Sequence, residues 1–151
     1  MNKRILIALD GSENAMRAVN YVGRMVSSLP DLEVTLLHIA PYQFFPRFPF
    51  RELDKIRGRW EQEMAKEMDN VFRLAKEDLT NAGIDPNRIH VKLIPQERDV
   101  ALDIISEAKE ANCSIIVVGR KAHSMVAEVF LGSVSNKIVH HAHDCTMWVV
   151  E

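Results

Sequence analysis

Gly119, Gly132 and Ser133 are the residues of this chain best suited to holding an anion. Gly119 follows the apolar run Ser114-Ile115-Ile116-Val117-Val118, which reads as a buried strand. Gly132-Ser133 leads into Val134-Ser135-Asn136-Lys137-Ile138-Val139, which reads as a helix. A glycine at a strand's end lets the backbone turn sharply and approach a ligand closely. A Gly-Ser pair opening a helix presents free backbone N–H groups and a hydroxyl to an anion. Strand, loop and helix N-terminus together predict a phosphate cradle. Ser133 also reads as an N-cap, and both roles can coexist. Ser135 either adds a hydroxyl one turn on or faces solvent.

Arg120, Lys121 and His123 lie between these positions, as cations beside a polyphosphate or as solvated loop charges. Asp10 sits in Leu9-Asp10-Gly11-Ser12. It reads as a turn residue or as a ligand contact, and beside phosphates it would need a metal to relieve repulsion. The cluster His140-His141-His143-Asp144-Cys145 invites a metal reading. It falls at a helix C-terminus, where the dipole favours histidine, and it lacks a second ligand pair of the usual zinc spacing. No metal site is expected from the protein alone. No Ser/His/Asp or Cys/His nucleophile set stands out, and Cys113 reads as a small core residue.

The elements that must position these residues alternate. Lys3 to Asp10 is a strand with an apolar centre, and Ser12 caps a helix whose apolar positions run from Ala15 to Leu29. Leu32 to Ile39 is a second strand. Residues 41–50 carry three prolines and five aromatics, which predict an irregular segment that is sticky if exposed. A long helix follows, with Ile56, Trp60, Met64, Met68, Val71, Ala75 and Leu79 along one face and Gly83 closing it. Residues 89–94 alternate and read as an edge strand. Val100 to Ala108 is a third helix, 114–118 a strand, about 132–142 a fourth helix, and 146–150 a final edge strand.

This alternation predicts one α/β domain, doubly wound, with a five-stranded parallel sheet in order 3-2-1-4-5 and helices on both faces. Winding reverses between strands one and four, and ligands bind at such a switch point beyond the strands' C-terminal ends. Asp10 and Gly119 lie at those two ends. The length of 151 residues, 47% hydrophobic and 26% charged, fits one soluble domain spanning 1–151. A net charge of −2 argues against broad nucleic-acid binding. No apolar run spans a bilayer, no leader is expected, and two cysteines are too few for a disulfide framework.

In these residues the chain resembles a universal stress protein domain. Gly119, Ala122 and Gly132-Ser133 match the intervals of the family's G-x2-G-x9-G-[S/T] motif, with alanine in place of the middle glycine. The resemblance also covers Leu9-Asp10-Gly11-Ser12, Leu37-His38-Ile39, and Gly132-Ser133-Val134-Ser135 through His141-Ala142. Cys145-Thr146-Met147 replaces the usual Cys-Pro-Val. The resemblance implies a cytoplasmic stress-response protein that binds ATP or AMP, with magnesium possible through ATP. It implies a homodimer pairing through the fifth strand and an unidentified regulatory partner. By position, Asp10 approaches the ribose or a phosphate-bound metal, and Ile39 offers backbone contacts to adenine. Gly119, Gly132 and Ser133 surround the phosphates. Ser12, Arg120, Ala122, His123, Val134 and Ser135 complete the expected nucleotide site. No acid–base pair accompanies the cradle, so a sensor or regulator is expected, with at most slow ATP hydrolysis. An interaction module that binds no nucleotide, and works through dimerisation or docking of Phe44, Phe45, Phe48 and Phe50, is the alternative. An adenylate-using enzyme is a third reading. The methyl of Ala122 is expected to weaken binding, so Ala122→Gly should tighten ATP affinity in calorimetry; equal or looser binding would count against that.

Overall fold

A computed structural model describes residues 3–41, 50–120 and 132–151. Strands β1 (Arg4–Ala8), β2 (Glu33–Ala40), β3 (Ile89–Pro95), β4 (Ile115–Gly119) and β5 (Thr146–Val150) alternate with helices α1 (Glu13–Val26), α2 (Phe50–Asn81), α3 (Val100–Glu110) and α4 (Ser133–His141). The sheet is wholly parallel in order β3-β2-β1-β4-β5, as expected, with β3 and β5 at its edges. The aromatic segment 42–49 lies outside the described residues.

Strand alternation sorts the core into two layers. Ile5, Ile7, Val34, Leu36 and Val117 pack under α1 and α2, while Leu6, Leu37, Ile39, Ile116 and Val118 pack under α3 and α4. Ile5, Leu6 and Ile7 are all essentially inaccessible, which is why this run shows no polar alternation. Each such side chain contributes about 1.5–3 kcal/mol by leaving water. A one-residue register slip would exchange the two layers, so the pairing of Leu6 with Thr35 and Ile116 is strongly specified.

The helices begin and end by local chemistry. Ser12 Oγ accepts the Ala15 N–H at 3.2 Å, and Ala15, Ala18, Val19, Val22 and Val26 form the buried face of α1. The helix stops at Val26, short of Leu29. Leu29 N–H donates to the Val26 carbonyl at 2.9 Å, and its side chain is exposed before Asp31 turns at φ 62°. In α2, Met68, Phe72, Ala75 and Leu79 are buried, and Gly83 at φ 107° closes the helix. The Asp99 carboxylate caps α3 from the Ala101 N–H at 3.0 Å. At the other end, Asn112 adopts φ 53° and Cys113 N–H returns to the Ala108 carbonyl at 2.8 Å. Among the described residues no helix is long and apolar enough to cross a membrane.

Candidate functional site

From β1 the chain crosses to the α1 face, and from β4 to the α4 face, although the two strands are neighbours. A crevice opens where they part. It holds a cavity of about 290 Å³. Leu9 just after β1, Leu37 and Val118 from β2 and β4, and Val100 and Ile104 from α3 make it largely apolar, with Asp10, His38 and Ser135 as its polar side chains.

The β1–β2 ladder breaks at the cavity's rim. Leu9 N–H donates to the Leu37 carbonyl at 2.7 Å. The next rung would join the Ile39 N–H to the Leu9 carbonyl. That rung is absent where β1 has already turned away, and His38 Nδ1 meets the same carbonyl at 2.6 Å. Ile39 is buried, lines the cavity, and its amide has no partner among the described residues. Beyond the break, Gly11 at φ 77° turns the chain and Asp10 Oδ1 accepts the Ser12 N–H at 2.9 Å. Asp10 thus fills the turn role and also lines the cavity.

The opposite wall is the start of α4. Its N-cap is Gly132, which has no side chain to satisfy the first-turn N–H groups. Ser133 is therefore the first helical residue and not the cap, and it is exposed. Val134 and Ser135 turn inward. Ser135 is only 3% exposed, so it does not face solvent, and its hydroxyl has no hydrogen-bond partner among the described residues.

Gly119 lines the cavity for a different reason from the one its position predicted. Its φ is not in the left-handed region. A Cβ there would instead strike the first turn of α1, 2.6 Å from the Ala15 amide nitrogen. Arg120 points away from the cavity; its guanidinium pairs with the Glu151 carboxylate at the end of β5, and its N–H donates to the Val150 carbonyl at 2.7 Å.

The α3 wall is tied in place by charge. Lys137 of α4 meets Asp99 at 2.9 Å, and this hydrogen bond holds the Asp99 carboxyl below its usual range. Asp103, 5% exposed, accepts the Glu97 and Arg98 N–H groups at 2.9 and 3.3 Å and so shapes the turn that delivers Val100.

Of the residues expected at the site, Asp10, Ile39, Gly119, Gly132, Val134 and Ser135 come together around the cavity. Ser12, Arg120 and Ser133 lie outside its lining, and Ala122 and His123 lie outside the described residues. His38, Val100 and Ile104 are additional. A polar residue inside the apolar run Leu36-Leu37-His38-Ile39 was the signal for His38, because a buried ring needs a partner. Helix α4 ends at His141, so His143 leaves the face of His140, and among the described residues no three His, Cys, Asp or Glu side chains are placed to hold a metal. Burial pushes the Cys113 and Cys145 thiols up, which disfavours the nucleophilic thiolate.

The model of the universal stress protein family matches residues 1–151. Universal stress protein YxiE of Bacillus subtilis is 28% identical over 146 residues, covering 91% of this chain and 92% of that protein. The Methanocaldococcus jannaschii protein MJ0577 superposes with a TM-score of 0.74 at 22% identity, covering 98% of this chain and 94% of the other. The universal stress protein from Archaeoglobus fulgidus solved in complex with dAMP gives a TM-score of 0.63 at 17% identity, covering 99% and 98%.

Proposed function

The chain belongs to the universal stress protein family, and from that premise we propose that it binds an adenine nucleotide, ATP or AMP, in the crevice between β1 and β4. The observation that carries this reading is a pair of buried polar groups, the Ile39 amide and the Ser135 hydroxyl, that line one apolar cavity and have no hydrogen-bond partner among the described residues. Buried donors are almost always satisfied, so a ligand or water belongs there. The base would lie in the slot formed by Leu9, Leu37, Val118 and Ile104, against the Ile39 backbone. The phosphates would meet the uncapped first turn of α4, where the N–H groups and the helix dipole favour negative charge. The fold neighbour that carries dAMP supports this choice of ligand class.

Asp10 sits at the cavity beside the proposed ribose and phosphates. One carboxylate together with nucleotide phosphates is a usual setting for magnesium, so the residues fit a metal carried in with ATP. The ion would neutralise charge between Asp10 and the phosphates. Binding is the proposed function, with hydrolysis expected to be slow at most. Nucleotide occupancy would act as a signal by shifting the dimer or partner state. Chromatography of the supernatant after denaturing the purified protein should reveal AMP or ATP, and calorimetry should show both binding. Absence of any copurified nucleotide together with flat titrations would sink the reading.

A further inference from the structure

We propose that Cys113 and Cys145 form a disulfide-exchange site, a dithiol that closes to an intramolecular disulfide on meeting a small-molecule disulfide of the glutathione class. The pair lies at the opposite end of the sheet from the cavity and is independent of the nucleotide reading. Thr146 N–H donates to the Ser114 carbonyl at 2.8 Å, so the cysteines just before these two residues sit on adjoining stretches of chain. The register that pairs Ile115 with Thr146 sets Cys145 opposite Ser114, with Cys113 one residue further. Strand spacing of about 4.8 Å and a rise of about 3.3 Å put their Cα atoms roughly 6 Å apart, a span that a disulfide bridges. Both side chains belong to the core layer under α3 and α4. Cys113 enters that layer because Asn112, at φ 53°, turns the chain out of α3, and Cys113 N–H returns to the Ala108 carbonyl at 2.8 Å. Asp144, at φ 65°, makes the corresponding turn before Cys145. The thiols also act on each other: burial does most to raise the Cys113 pKa, and a charge on Cys145 raises it further.

Cys113 is buried and Cys145 half-buried, so a dissolved disulfide meets Cys145 first. The Cys145 thiol gives its proton to water, and its sulfur attacks one sulfur of glutathione disulfide. That S–S bond breaks, and one glutathione leaves as a thiolate that takes up a proton. The Cys113 sulfur, deprotonated in turn, attacks the Cys145 sulfur, and the second glutathione leaves in the same way. The protein has then lost two hydrogens and two electrons, and one glutathione disulfide has become two glutathione thiols. Burial raises both cysteine thiols, so thiolate is scarce and closure is slow. The same property makes each sulfur a poor leaving group, so the closed form also reopens slowly. The bond encloses residues 113–145, which carry β4, the Gly132 cap and α4. Joining the ends of that segment restricts the unfolded chain and so favours the folded one.

The full chain, reduced and then incubated for hours with glutathione disulfide under native conditions, tests this by intact mass and a non-reducing peptide map. The protein should lose two hydrogens, keep no glutathione, and yield one linked pair of peptides containing Cys113 and Cys145. Its melting temperature should rise by about 5–10 °C and return when a reductant is added. In Cys113→Ala the exchange should stop with one glutathione held on Cys145. In Cys145→Ala the buried Cys113 should stay unmodified. Glutathione retained on Cys145 of the unsubstituted protein would show that the two sulfurs do not meet, and overturns the site. A bond between two chains through Cys145, or two thiols that stay free throughout, overturns it equally. Closure with an unchanged or lower melting temperature overturns the claim that the native geometry already fits the bond.

Discussion

Gly119 is seated directly on the backbone of Asn14: a Cβ at Gly119 would fall 2.5 Å from the Asn14 carbonyl carbon. The Asn14 side-chain amide in turn donates to the Arg120 carbonyl. The end of β4 and the first turn of α1 therefore approach as closely as backbone allows. Gly119→Ala must push them apart, at a cost of about 1–3 kcal/mol by the usual scale of overpacking. Urea denaturation should show a lower midpoint with an unchanged slope. Nucleotide affinity should fall as well, because Ala15 and Gly119 share the cavity wall. An unchanged midpoint would show that the helix moves away freely.

Ser135 separates binding from stability. Its buried hydroxyl has no partner among the described residues, so Ser135→Ala removes a poorly satisfied group and should leave the melting temperature unchanged or slightly raised. If the hydroxyl meets a phosphate, affinity should drop by about tenfold, or about 1.4 kcal/mol. Calorimetry and thermal melting on the same sample decide the matter. A loss of stability with intact affinity would make Ser135 a structural residue.

The sheet order was legible in the sequence because burial writes itself into apolar runs. Ile5-Leu6-Ile7 and Ile116-Val117-Val118 are covered on both faces, whereas β3 exposes His90, Val91 and Lys92. The location of the crevice followed from that order. The individual roles were less legible, since they depend on contacts between residues far apart in the chain. Gly119 is a glycine because of Asn14, and Arg120 is drawn away by Glu151. Ser133 and Ser135 are two residues apart on one helix, yet one is exposed and the other buried. Ser133 ends the spaced motif and Ser135 lies in the resembling stretch just after it, and only the rotation of α4 against the sheet distinguishes them. Helix ends were uncertain for a local reason: Leu29 keeps the apolar period of α1 after the backbone has left the helix.

The tie between α3 and α4 should show in the pH dependence of stability. The Lys137 hydrogen bond lowers the Asp99 pKa, so the folded state binds this proton less readily than the unfolded chain. The contribution is present above the ordinary carboxylate range and is lost as the pH falls through the lower folded value. Lys92 behaves oppositely. Its hydrogen bond to Glu107, at 2.9 Å, raises its pKa, so that contribution is present at neutral pH and is lost as the pH climbs above the ordinary lysine range. The side chains of Asp99 and Lys137 are 39% and 42% exposed, so solvent screening should keep their pair below about 1 kcal/mol. Asp99→Asn keeps an N-cap acceptor and removes the charge. Denaturation midpoints measured across acid pH should fall less steeply for Asp99→Asn than for the parent. Parallel curves would show that the pair contributes nothing.

The outer edge of β5 offers a test of self-association. Thr146 N–H donates to the Ser114 carbonyl at 2.8 Å, and the Val150 carbonyl accepts from Arg120 at 2.7 Å. Thr146, Trp148 and Val150 thus turn their backbone groups to β4, which leaves those of Met147 and Val149 pointing outward. Trp148 is braced by Tyr21, edge-on at 6.0 Å between ring centroids, so the strand is held on its inner side. An edge whose outward N–H groups have no partner among the described residues, with half-buried apolar side chains, is a template for a second copy, and two-fold pairing would close it. We expect a homodimer in solution through this edge. Val149→Pro removes one outward N–H while leaving the β4 ladder its own bonds. Light scattering should report the monomer for this variant and the dimer for the parent, with circular dichroism alike for both. A folded Val149→Pro protein that remains dimeric would move the pairing to another face, because a central outward donor would then have been removed without consequence.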